Sequence, residues 1–78
     1  MPSARIRFPS PSAVELARAG VAQYQIADYL GVTAPAISHQ LTGRRRLQPE
    51  TLSAIRVVAG VEAAQRIAEI HGVAEVSA

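Results

Sequence analysis

The stretch QYQIADYLGVTAPAISHQLTGRRR, residues 23–46, decides how the chain is read. Within residues 23–30, Ile26, Ala27 and Leu30 fall on one face of a short helix at i, i+1 and i+4. Gly31 ends that helix and takes the positive-φ corner that lets the chain turn sharply. Residues 34–42 read as the next helix. Ile37 and Leu41, four apart, face inward, and Val32 plugs the turn behind them. Thr33 is chemically the better cap, whereas Pro35 favours an extended Ala34, so the boundary is open by about one residue. Ala27 is small enough for the two helices to cross closely. Ala34, Pro35, Ser38, His39 and Thr42 are left pointing elsewhere. Gly43 closes the helix, and a basic loop, Arg44–Gln48, follows.

Other helices flank this pair. Residues 11–19 read as a first helix, with Ser10-Pro11 as cap and first turn and Ser12-x-x-Glu15 as a competing capping box. Val14, Leu16 and Ala17 are its apolar residues, and Gly20 stands at its left-handed C-cap. The helix from 23 lacks a side-chain acceptor at its cap, because Ala22 precedes it. A fourth helix starts at Pro49 with Glu50 near the positive end of its dipole. Leu52, Ile55 and Val58 form its buried stripe, and Gly60 stops it. Residues 61–71 form a fifth helix that ends at Gly72. Its Glu62 and Arg66 are four apart in the favourable order, and Val61, Ala64, Ile67 and Ala68 make its stripe. The expectation is an all-α fold: one compact five-helix domain over 10–72, a basic arm at 1–9 and a short tail at 73–78.

Composition bounds the chemistry. The chain has 78 residues and a net charge of +2, with eight basic and six acidic side chains. All eight cations are arginines, three of them consecutive at 44–46, so an anionic partner is indicated by placement rather than by net charge. Only Phe8, Tyr24 and Tyr29 are aromatic. Tyr29 is expected to pack partly into the core and Tyr24 to lie at the surface. The absence of cysteine excludes a disulfide scaffold, a thiolate zinc site and a cysteine nucleophile. The absence of lysine excludes Schiff-base chemistry. No apolar run approaches the ~20 residues of a membrane span. No histidine–carboxylate pairing marks an enzyme. Neither cofactor nor metal is called for, and a cytoplasmic location follows from the same features.

Gln23, Ala27, Leu30, Gly31, Val32, Ile37, Ser38, Leu41 and Gly43, followed by the arginine loop, Pro49-Glu50 and the helix to Gly60, resemble the lambda-repressor and Cro-like transcriptional regulators. The resemblance covers residues 12–60, with the helix-turn-helix at 23–42. It implies a DNA-binding regulator, a repressor by preference, that binds an inverted-repeat operator in double-stranded DNA as a homodimer without a small-molecule ligand. Base-reading positions would then be Ala34, Pro35, Ser38 and His39. Phosphate contacts would come from Gln23, Thr33, Thr42, Gly43, Arg44, Arg45 and Arg46. Ala34 and Pro35 depart from the long polar residues common in the family, and neither can hydrogen-bond a base through its side chain. Arg5 and Arg7 would give the arm a phosphate or minor-groove role. His71, before Gly72, is expected to interact with the helix dipole. Ile67, Ile70 and Val73 would help form the dimer seam. Glu62, Glu69 and Glu75 gather away from the arginines in sequence, so a polarised molecule is expected. The other reading is a protein-interaction module of the same fold, such as an antitoxin-like or co-regulator domain.

Overall fold

A computed structural model describes residues 10–73, so the arm at 1–9 and the tail beyond Val73 lie outside the described residues. Five helices follow one another: α1 (Pro11–Arg18), α2 (Gln23–Leu30), α3 (Ala34–Leu41), α4 (Pro49–Ala59) and α5 (Val61–His71). No strand occurs among the described residues. The domain is therefore all-α, as the glycine-punctuated periodicity predicts.

The α1 start resolves the two competing caps. The Ser10 hydroxyl accepts from the Ala13 backbone N–H at 3.2 Å, with Pro11 in the first turn. Ser12 is fully buried and makes no cap. Its hydroxyl is committed across the domain, at 2.7 Å from His71 Nε2. At α2 the missing side-chain cap is replaced from within the helix: Gln25 Oε1 accepts from the Ala22 N–H at 2.8 Å.

The apolar stripes converge on a single core of Leu16, Ile26, Ala27, Ile37, Leu41, Leu47, Leu52, Ala54, Ile55, Ala64, Ile67 and Ala68. α2 packs on both α3 and α4, while α5 packs on α1 and α4. Gly60 alone connects α4 to α5, at φ 106° and ψ 162°. Its N–H closes α4 on the Ile55 and Arg56 carbonyls, and its own carbonyl accepts from Ala64 to open α5. A side chain in that backbone region is strongly disfavoured.

Several expectations change. Tyr29 and Val32 are exposed, not core; α2 turns Ile26 and Ala27 inward, which carries Tyr29 to the outside. Ala17 and Val61 are exposed for the same geometric reason, lying off the stripes set by Leu16 and Ala64. Ile67 is 0% exposed and belongs to the intramolecular core, so it cannot also line an open dimer seam. α3 ends at Leu41, one residue before the expected Thr42. Arg66 does face Glu62 at 3.9 Å, and it also lies 3.9 Å from Glu15, whose Oε1 is buried without a hydrogen bond.

Candidate functional site

The turn between α2 and α3 is built by Gly31 at φ 73° and ψ 30°, the left-handed region glycine enters at little cost. The Val32 N–H then reaches back to the Ala27 carbonyl at 3.0 Å, closing α2 and aiming the chain into α3. Thr33 takes the extended conformation before α3, and its hydroxyl makes no capping bond. Pro35 is tolerated in the first turn, where its missing N–H removes no helical hydrogen bond.

Ile37 and Leu41 are buried and fix which side of α3 faces the core. Helical spacing then puts Pro35, His39 and Thr42 on the opposite side, with Ser38 along its edge, while Ala34, three before Ile37, lies in the first turn on the inward side. Ala34, Pro35 and Thr42 are exposed, and Ser38 and His39 are half-buried. Pro35, Ser38, His39 and Thr42 therefore form one surface of small and polar side chains, with Ala34 exposed beside it at the start of the helix. Gln23 is the first residue of α2 and is half-buried.

The arginine loop extends that surface, and it is braced. The Arg45 N–H donates to the His39 carbonyl at 3.0 Å, and the Thr42 hydroxyl donates to the same oxygen at 3.3 Å. Gln40 Oε1 accepts from the Gln48 N–H at 2.9 Å, tying the loop's exit back to α3. Gln48 Nε2 in turn donates to the Arg46 carbonyl at 3.3 Å. Leu47, 4% exposed, inserts its side chain into the core between these ties. Arg44, Arg45 and Arg46 thus project from a backbone fixed at both ends. Gln40 and Leu47 escape the sequence reading. The only trace of Leu47 is that it is the sole large apolar residue between Leu41 and Leu52.

The C-terminal end of α5 lies beside this loop. Arg45, Arg46, Leu47 and Gln48 share a groove with His71, Gly72 and Val73. Neither Glu62 nor Glu69 lines this groove, and Glu75 lies outside the described residues. His71 is corrected: burial lowers its pKa from the ordinary 6.5, which favours the neutral ring. A neutral ring bonded to Ser12 gains no charge–dipole stabilisation. Of the three residues expected at a dimer seam, Ile70 is exposed and Val73 is partly buried against the core.

Among the described residues, no group of three or more metal-ligating side chains is brought together, and no helix is long and apolar enough to cross a membrane. Comparison with known proteins gives no matching family model, curated relative or solved structure.

Proposed function

We propose that the chain is a sequence-specific double-stranded DNA-binding regulator, a repressor by preference, in which α2 and α3 form a helix-turn-helix and α3 enters the major groove. The observation that carries this reading is the continuity of two surfaces. The small, polar outer side of α3 runs directly into a loop that presents three arginines from a braced backbone. An α-helix with side chains is about 10–12 Å across, and the major groove is about 12 Å wide. Ser38 and His39 would meet base edges, and Ala34 and Pro35 would pack on thymine methyls or leave readout to DNA shape. Gln23, Thr33, Thr42, Gly43, Arg44, Arg45 and Arg46 would hold the backbone on either side. A planar guanidinium suits a phosphate better than a point charge does.

Two copies would occupy half-sites about one helical turn apart, roughly 34 Å centre to centre. The seam would use Ile70 and the partly buried Val73, with Ile67 supporting it from inside the core. Selection of bound sites from a random duplex pool tests the reading. Enrichment of an inverted repeat is the expected result. Absence of any enriched site would overturn it in favour of the protein-interaction module, the reading favoured by the exposed Val57, Val61 and Ile70.

A further inference from the structure

The groove between the arginine loop and the end of α5 has a volume of about 750 Å³. Arg45 and Arg46 line it and are exposed, and neither guanidinium has an ion pair among the described residues. His71 lines it too, half-buried, from the last turn of α5. Its Nε2 is engaged by Ser12 Oγ at 2.7 Å, whereas Nδ1 makes no hydrogen bond among the described residues. Within α5 the turn before the ring offers only the buried, apolar Ile67 and Ala68. From α1 comes Ser12, with Glu15 one turn further on and facing Arg66 at 3.9 Å. α4 brings Pro49 to the groove, while Glu50 lines a separate groove with Leu30 and Val32. Among the described residues, the charged groups that share the groove with His71 are therefore both positive.

We propose that this groove is a site for a phosphate-type oxyanion, gripped by Arg45 and Arg46, and that His71 takes up a proton as the anion enters. A guanidinium fork matches the oxygens of such an anion bidentately. Without the anion, burial favours the neutral ring. An anion beside the ring reverses that balance, because a nearby opposite charge favours the protonated form. The contact with Ser12 survives the change. An imidazolium donates from both nitrogens, and a serine hydroxyl accepts as well as donates. Nε2–H then stays on Ser12, and Nδ1–H is left for the anion. Affinity therefore rises as pH falls from the bound to the free pKa of His71, and is level on either side. Under the DNA-binding reading above, the oxyanion is a backbone phosphate. The inference rests on that reading for the source of the anion alone, since a free organic phosphate offers the same chemistry.

Sulfate tests the site, because it does not titrate near neutral pH; chloride at equal ionic strength is the control. The Cε1–H signal of His71 is followed through pH by NMR. Sulfate is expected to raise its midpoint by about 0.3–0.7 unit, the range of one exposed ion pair. The double variant Arg45→Gln/Arg46→Gln is expected to abolish the rise. A midpoint that sulfate leaves in place, or that moves equally in the double variant, overturns the proposal. Affinity for a duplex of random sequence is then measured at about pH 5.5 and 7.5 for the unaltered chain and for His71→Gln, both confirmed folded by circular dichroism. On going to the lower pH the unaltered chain is expected to gain about two- to fivefold more than the variant. His39 is present in both proteins and cancels. If sulfate raises the midpoint while the two proteins gain alike, the site stands with a free oxyanion as its occupant. If neither protein binds duplex, the sulfate result still decides the site, and the DNA-binding reading alone fails.

Discussion

Ser12 Oγ lies 2.7 Å from His71 Nε2, so a side-chain hydrogen bond joins the second residue of α1 to the last residue of α5. Ser12 is fully buried, and removing its partner leaves a polar group inside the protein. Ser12→Ala and His71→Ala should each destabilise the domain, by about 1–3 kcal/mol where a buried group is left unsatisfied. The double variant should cost less than the sum of the two. Denaturant unfolding of the four proteins in a cycle checks this; strict additivity would show that the pair does not couple the helices.

The same histidine gives a pH dependence of defined sign. Burial lowers its folded pKa below the ordinary 6.5. Between the two values the unfolded chain binds more protons than the folded one. Stability is therefore complete above about pH 6.5, declines as pH falls through the folded pKa, and levels off beneath it. His71→Gln, which cannot titrate, should remove this component of the slope just below pH 6.5. Thermal unfolding of both proteins across pH 5–8 measures it, and parallel curves would refute the assignment.

Leu47 and Ile67 define where the core ends. Leu47 sits in a loop between charged and polar neighbours yet is 4% exposed, and Ile67 is 0% exposed. Truncation to alanine should cost about 2–5 kcal/mol at either position, as for other buried aliphatic residues. The losses should not depend on protein concentration, because both side chains pack within one chain. A concentration-dependent loss at Ile67 would return it to a subunit interface.

The legible and the illegible parts of this chain divide along physical lines. Helix boundaries marked by glycine or proline are readable, because proline fixes φ and glycine enters positive φ at little cost: Gly31, Pro49, Gly60 and Gly72 all stand where expected. The inward positions of α3 are readable from Ile37 and Leu41 alone. Tyr29, Val32 and Val61 mislead because apolarity does not say which side of a helix or turn a residue leaves from. Ser12 misleads because a capping motif and a long-range partner compete for one hydroxyl. The braces of the arginine loop, Gln40 and Leu47, depend on tertiary partners that short-range patterning does not encode. The outer surface of α3 is legible only as what the core leaves over.

Gly60 is the strictest backbone requirement in the fold. At φ 106° and ψ 162° it ends α4 and begins α5 within one residue. An added Cβ would meet no atom within 4 Å, so the penalty for Gly60→Ala is conformational rather than steric crowding. The expected cost is about 1–3 kcal/mol. It should appear in denaturant midpoints with an unchanged m-value, since the folded packing is retained. A neutral result would mean that the α4–α5 junction relaxes to an ordinary helical turn.

The two halves of the proposed interface should fail differently when altered. Arg44 and Arg45 project from the braced loop, where they can reach phosphate but carry no sequence information. Replacing either with glutamine should weaken binding to every duplex alike. It should also reduce the slope of log affinity against log salt by about 0.9 for each phosphate no longer neutralised. His39 stands on the outer side of α3, opposite Ile37 and Leu41, and Ser38 along its edge. Replacing either with alanine should shift preference among duplexes by about 1–3 kcal/mol at one position of the site while leaving the salt slope unchanged. Affinities measured over a salt series, on the selected site and on its single-base variants, separate the two behaviours. If the arginine variants alter preference and the α3 variants alter only the slope, the loop rather than the helix occupies the groove.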